Sequence, residues 1–182
     1  MRRLPTLLLI LTIATGAGSA PLLADEKAAD KRSKIDTMAA ETFEQLLADN
    51  AGARALQGKA YGHAVFSNVK VSLIITGGGG SGVAVAGGKR TYMKMGTAGL
   101  NIGLGGQKYQ VVFLFQGKAA FDNFVDKGWQ ADASANAVAG KAGANAEATF
   151  RDGMAVYQLT DAGLMLQADI AGTKYWKAKK LN

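Results

Sequence analysis

The sequence predicts an α+β protein in which N-terminal amphipathic helices pack on a mainly antiparallel, glycine- and alanine-rich sheet or a partly closed barrel. Three observations support this class. Apolar residues recur at helical spacing between residues 34 and 49, the spacing changes to a period of two from Val71 onward, and glycine makes up 24 of 182 residues. The first spacing is typical of an amphipathic helix and the second of a half-buried strand.

The first 24 residues have the composition of a secretory signal peptide, because two arginines precede an apolar run, Leu7–Ile13, and small residues follow. The apolar run is too short to cross a bilayer as a helix. We expect cleavage after Ala20 or Ala24. The sequence therefore predicts an exported protein of the periplasm or cell envelope.

Composition narrows the possible chemistry. The chain has no cysteine, and His63 is its only histidine, which excludes disulfides, thiolate sites and zinc sites with several histidines. The formal charge of +7 falls to +5 without the two arginines of the signal, which favours anionic partners. We expect no cofactor, no metal and no nucleic-acid partner.

The predicted mature chain begins with a charged leader, residues 25–33, and continues as a single domain over residues 34–182. Ser33 begins an S-x-x-D pattern, a variant of the capping box, and predicts a helix that starts there and ends near Asp49. A shorter helix is expected over Ala53–Gly58. The predicted inner face of the first helix carries Ile35, Met38, Ala39, Phe43, Leu46 and Leu47.

The rest of the domain is predicted to be strands with one short helix between them. Runs with β-branched and aromatic residues predict strands at 63–66, 71–76 and 111–115, and alternation predicts one strand over 97–105. Antiparallel hairpins are expected over 129–150 and 154–170. The helix, over Lys118–Lys127, is predicted to bury Ala120, Phe121, Phe124 and Val125.

The stretch ITGGGGSGVAVAGGKR, residues 75–90, contains a G-x-G-x-x-G match at Gly77, Gly79 and Gly82. A dinucleotide loop needs a helix after the glycines, and a strand-like alternation follows here instead. The Walker pattern fails at Val83 and Arg90. The segment is therefore interpreted as a strand end, a flexible hairpin connection and a small-residue strand that Gly87-Gly88 ends.

No catalytic residue is predicted, and the protein is not expected to be an enzyme. A single histidine beside an apolar strand is more often structural than a general base. Ser81 is not in a G-x-S-x-G motif, because Val83 occupies the last position. Asp122 and Asp126 lie one helical turn apart among lysines, which is typical of a solvated helix face.

The C-terminal segment KYWKAKK, residues 174–180, surrounds an adjacent Tyr-Trp pair with four lysines. Amphipathic rings favour the headgroup level of a membrane, and lysines there meet anionic phosphates. The alternative is a solubilising basic end whose aromatic rings complete the core.

The segments GHAVFSNVK, TAGLNIGLGGQKYQVVFLF, KAAFDNFVDKG and WQADASANAVAG occur in the order found in the SYLF domain, which they resemble over roughly residues 53–170. This is a lipid-binding domain related to yeast actin-regulating, Las17-binding proteins. The resemblance implies one α/β domain without known catalysis that binds phosphoinositides or other acidic phospholipids. In the family, lipid binding is attributed to an N-terminal amphipathic helix, which maps here onto residues 34–49. The chain departs from the family pattern at Ser67 and over residues 71–80.

The hypothesis is peripheral binding of anionic phospholipid in the cell envelope. The alternative is a structural or protein-binding envelope module whose small-residue sheet faces accept a partner. Whether the 34–49 helix contacts lipid or only the sheet is left open by the sequence. The candidate lipid-binding residues are Lys34, Ile35, Met38, Phe43, Leu46, Lys174, Tyr175, Trp176, Lys177, Lys179 and Lys180.

Overall fold

A computed structural model describes residues 19–72, 75–100, 105–131, 149–160, 163–165 and 172–182 of the chain. Two helices precede the strands, and a short third helix, continued by a π-helical turn, lies between the fourth and fifth strands. The elements are α1 (Ser19–Asp49), α2 (Ala51–Gln57), β1 (Gly62–Ser72), β2 (Ile75–Ala86), β3 (Lys89–Leu100), β4 (Gly105–Phe115), α3 (Lys118–Asp122), the π-helical turn (Asn123–Lys127), β5 (Trp129–Gln130), β6 (Met154–Thr160), β7 (Gly163–Met165) and β8 (Thr173–Lys177).

The described strands form one eight-stranded sheet in the order β5-β8-β3-β2-β1-β4-β6-β7. Every neighbouring pair in it is antiparallel. With α1 and α2 packed on this sheet, the predicted α+β class is confirmed. The apolar run VVFLF is confirmed as a central strand, since residues 111–115 on β4 are completely buried.

The sheet is covered on both sides, which divides the molecule into three layers. On one side, here called the helix face, aliphatic residues pack against α1 and α2; they include Val65, Val83, Val112, Leu114 and Leu159. On the other side, the aromatic face, the sheet residues Phe66, Phe113, Phe115 and Tyr175 pack against Phe121 of α3 and Phe124 of the π-helical turn. Alternate residues of a strand point to opposite faces, so a single strand contributes to both cores.

The predicted start of the first helix is wrong, because Ser33 lies inside α1, which begins at Ser19. Most residues of the predicted charged leader are exposed, but they are helical. Alanine, lysine and glutamate are good helix formers, and an ion pair between Asp30 and Lys34 spans one turn. A capping-box pattern therefore did not mark a boundary in a sequence that could continue as a helix on both sides.

The glycine-rich segment is not the flexible hairpin connection that the sequence suggested. Residues 75–86 form one continuous strand, β2, paired along its length with β1. A Cβ on Gly82 would overlap the Val65 carbonyl oxygen and the Phe66 ring, so glycine is required there by the close approach of β1. The turn falls at Gly87-Gly88 as predicted, where φ values of 55° and 78° suit a tight hairpin.

Two of the strands predicted from the sequence extend across the boundary between two observed strands. Residues 71–72 end β1 and residues 75–76 begin β2, and residues 97–100 end β3 whereas Gly105 begins β4. Apolar content and alternation continued through both boundaries, so neither signal marked them. The α3 region is confirmed, with Phe121, Phe124 and Val125 buried. The hairpin predicted over 129–150 falls mostly outside the described residues. Of the hairpin predicted over 154–170, residues 154–160 and 163–165 are described and form the antiparallel β6–β7 pair, and the rest lies outside the described residues.

Candidate functional site

The single histidine, His63, lies on β1 and faces α1. Its ring stacks on Phe43 with centroids 4.1 Å apart and planes 8° apart. Burial lowers the pKa of His63, because the charged form would lose its hydration. The two rings line a cleft together with Gln57, Tyr61 and Leu114, and the described residues of that cleft include no carboxylate. The geometry is that of a packing residue joining helix to sheet.

The apolar candidates on α1 pack against the sheet. Ile35 and Leu46 are buried in the helix-face core, and Met38 and Phe43 are half-buried against the same core. Lys34 is exposed and its ammonium group lies 2.8 Å from the Asp30 carboxylate. Of the two roles that the sequence left open for this helix, its apolar face therefore has the structural one in this conformation.

The C-terminal candidates separate into one buried and several exposed residues. Tyr175 is completely buried in the aromatic face, so its ring does not reach the surface, contrary to the expected interfacial position. Burial raises the pKa of Tyr175 well above its ordinary value. Trp176, the next residue along β8, is 40% exposed on the opposite side of the sheet. The ammonium group of Lys177 is engaged, 2.9 Å from the Asp126 carboxylate.

Trp176 lies on a part of the sheet surface that carries exposed lysines. Its ring lies over Gly96, where a Cβ would come within 3.1 Å of the ring. Directly opposite residues of paired strands share a face, so Lys94 of β3 flanks Trp176 across the strand pair. The sequence-based candidates did not include Lys94, although its alternation with the buried Met93 and Met95 was a usable signal. We define the basic surface as Lys94, Lys174, Trp176, Lys179 and Lys180, all of which are exposed.

The C-terminus and α1 meet at a hydrogen-bonded junction. The Arg32 guanidinium donates to the Leu181 carbonyl at 2.9 Å, and the Tyr92 hydroxyl donates to the Asp36 carboxylate at 2.9 Å. The Asn182 side chain pairs with the backbone N–H and C=O of Tyr92. These bonds join the two regions in which the sequence predicted basic residues. They also hold the chain end, and with it Lys179 and Lys180, in one place on the sheet.

The small-residue faces proposed for a partner are described only in part. On β2, a Cβ at Gly80 would overlap the Ser67 carbonyl oxygen, and one at Gly82 would overlap Phe66. The chain itself therefore fills the space beside these two glycines. The alanine-rich strands predicted over 131–148 lie almost entirely outside the described residues.

Within the described part of the chain, no helix is both long enough and apolar enough to cross a membrane. The same residues bring no three histidine or carboxylate side chains together in a way that could hold a metal ion.

The fold and this surface define a small α+β domain with a basic, tryptophan-bearing region near one end of its sheet. A family model described as "Las17-binding protein actin regulator" matches residues 96–182. Beta cell expansion factor A of Aeromonas veronii is 46% identical over 162 residues, which is 88% of this chain and 62% of that relative. The chain thus spans less than two thirds of the length of that relative.

The match over residues 96–182 is to the SYLF domain, the same domain that the sequence resemblance indicated. The family is known for lipid binding in general and is generally non-catalytic. The matched residues include the end of β3, β4, α3 and β8, and all of the basic surface except Lys94.

Proposed function

We propose that this protein is exported and binds anionic phospholipid at a membrane surface of the cell envelope, peripherally and without catalysis. The observation that carries the proposal is the basic surface, in which the exposed Trp176 has Lys94 opposite it on β3 and Lys174 two residues before it on β8, and exposed Lys179 and Lys180 follow that strand. The family's general association with lipids supports it independently.

The chemistry of this surface suits an anionic membrane. An indole ring combines an apolar body with an N–H donor and favours the headgroup level. Each lysine near an anionic bilayer contributes about 1 kcal/mol. Lys94, Lys174, Lys179 and Lys180 have no ion pair among the described residues, so no carboxylate has to be displaced before they meet phosphate.

The proposal assigns the membrane contact to the basic surface and not to the apolar face of α1. Ile35 and Leu46 could reach lipid only after leaving the core that they share with the sheet. The basic surface needs no such rearrangement. The proposal keeps Lys34 as a peripheral contact, because it is exposed two residues after Arg32, which forms the junction between α1 and the C-terminus.

The test is co-sedimentation with liposomes of neutral lipid alone and with added anionic lipid, at low and high salt. The wild-type chain should bind the anionic vesicles at low salt and dissociate at high salt, because salt screens exposed charges. Changing Lys174, Lys179 and Lys180 to Gln removes about 3 kcal/mol, which weakens binding roughly 100-fold.

A matched control changes Lys59, Lys108 and Lys127 to Gln, since these lysines are also exposed but lie outside the basic surface. Both triple variants have the same net charge. If the control weakened binding as much as the first variant, attraction by net charge would replace the basic surface as the explanation. If the wild-type chain failed to bind anionic vesicles at low salt, the proposed function would be wrong.

A further inference from the structure

A second basic feature lies on the opposite side of the sheet from Trp176, in a cleft of about 230 Å³. It lies where α3 and the π-helical turn approach the β2–β3 turn and β8. Its apolar lining residues Phe121 and Val125 are buried, which places them at its floor, whereas most of its polar lining residues are exposed, which places them at its rim. Phe121, Val125 and Ala86 contribute to the floor, and three lysines, two aspartates and the hydroxyl groups of Tyr61 and Thr91 contribute to the rim.

Three lysines but only two aspartates line this cleft, so one ammonium group has no carboxylate partner there. Lys118 pairs with Asp122 one helical turn away, and Lys177 pairs with Asp126 at 2.9 Å. Lys89 lines the same cleft and has no ion pair among the described residues. Because each carboxylate already has its own lysine, an entering anion would meet a net charge of about +1.

The aromatic residue at the rim of the cleft, Tyr61, is exposed to an unusual extent for a large ring. Tyr61 is 43% exposed, and its ring contacts Phe121 edge to face with centroids 5.8 Å apart. An exposed ring beside an apolar floor favours a ligand with an apolar part, and Tyr61 and Thr91 supply hydroxyl donors close to the lysine. Ligand sites commonly combine such an apolar lining with a few converging polar groups.

The net charge and the apolar floor of the cleft favour a phosphodiester over a phosphomonoester. A phosphomonoester carries a charge of roughly −1.5 to −2 near neutral pH, which exceeds the single surplus ammonium. A phosphodiester carries one negative charge, and in a phospholipid it lies next to an apolar glycerol–acyl region. The negative charge of the diester then matches the surplus lysine of the cleft, and the glycerol–acyl region matches its apolar floor.

We propose that this cleft binds a singly charged phosphodiester, with Lys89 as its ion partner and the apolar part of the ligand on the Phe121–Val125 floor. The inference deepens the proposed function and rests on it, since it adds a headgroup site to a membrane-binding protein. The diester could belong to a membrane phospholipid or to a soluble molecule, and the experiment separates these sources.

The experiment uses the full chain and three probes: short-chain phosphatidylglycerol below its micelle concentration, glycerophosphoglycerol without acyl chains, and glycerol phosphate as the monoester. Binding is measured by titration calorimetry. The short-chain lipid should bind most tightly, and Lys89→Gln should weaken it about tenfold, as expected for the loss of a charge-assisted hydrogen bond. Tight binding of glycerophosphoglycerol would instead indicate a soluble diester as the ligand.

Lys108→Gln is the matched control, since Lys108 is exposed on β4 and does not line the cleft. Lys89 is exposed at the first position of β3, so its substitution leaves the cores intact. Equal binding by Lys89→Gln and wild type would overturn the inference, and so would tighter binding of the monoester. Vesicle binding without binding of either diester would overturn the cleft and leave the proposed function standing. If a diester bound but vesicles did not, the proposed function would be wrong and the cleft would stand.

Discussion

The two faces of the sheet are both buried, but they are covered in different ways. The helix face is covered mainly by α1, through alanine and aliphatic side chains such as Ile35, Ala39 and Leu46. The aromatic face is covered by α3 and the π-helical turn, and its core is a set of contacting rings. Phe113 alone packs against Phe66, Phe115, Phe124, Trp129 and Tyr175.

This difference changes how the apolar residues should be interpreted. An amphipathic helix and a Tyr-Trp pair are both sequence signals for a membrane contact, yet α1 and Tyr175 complete the two cores. The exposed features next to them, Trp176 with its lysines and the cleft beside Lys89, are the ones available to a ligand. Three predictions test the comparison, from the largest expected effect to the smallest.

Phe113→Ala should have the largest effect, lowering the free energy of unfolding by about 4 kcal/mol, in the range for Phe→Ala in a core. Phe113 is completely buried and its removal leaves a cavity between five rings. Urea denaturation monitored by circular dichroism measures the change. A loss under 1 kcal/mol would mean that the aromatic face is not packed as described.

Leu46→Ala should lower the free energy of unfolding by about 3 kcal/mol, since Leu46 is completely buried between α1 and the sheet. Under conditions where the variant is folded, its binding to anionic vesicles should equal that of the wild type. The control is Thr37→Ala, on the exposed side of the same helix. Unchanged stability with weakened vesicle binding would reverse the comparison and make the α1 face the lipid contact.

Acid should destabilise the helix face through His63. The folded-state pKa of His63 lies below its ordinary value, so the unfolded chain binds the proton first. The stability contribution is complete above the ordinary value of about 6.5 and is lost as the pH falls from there toward the folded-state pKa. One proton contributes a slope of at most about 1.4 kcal/mol per pH unit.

Denaturation of the wild type and of His63→Gln between pH 7.5 and 5.5 checks this expectation. The glutamine variant lacks the titrating group, so its stability should change less over that range. Parallel pH profiles would show that the stack on Phe43 does not depend on the neutral histidine.

Much of the architecture could be predicted because it depends on local pattern. The amphipathic spacing of residues 34–49, the apolar run of β4, the α3 region and the Gly87-Gly88 turn all follow from side-chain periodicity or backbone conformation. The errors occurred where the pattern did not change at a boundary. Residues 71–76 and 97–105 continue their apolar or alternating character through a strand end, and the charged stretch before residue 34 is compatible with both helix and solvated chain.

The surroundings of the candidate residues were harder to predict, because burial depends on neighbours distant in the chain. Tyr175 and Trp176 are adjacent, yet β8 pairing turns one toward the aromatic core and the other outward. Lys94 belongs to the basic surface only because β3 pairs with β8. Lys89, Lys118 and Lys177 are far apart in sequence and meet in one cleft.

The sequence by itself determined the α+β class, the absence of thiol chemistry, the excess of basic residues and the SYLF resemblance, since composition and periodicity are properties of the chain. Only the tertiary structure decided which apolar residues complete a core and which basic residues share a surface. Strand register assigns each side chain to a face. Between β3 and β8, which are distant in the chain, no connecting turn sets that register, so it depends on the tertiary structure.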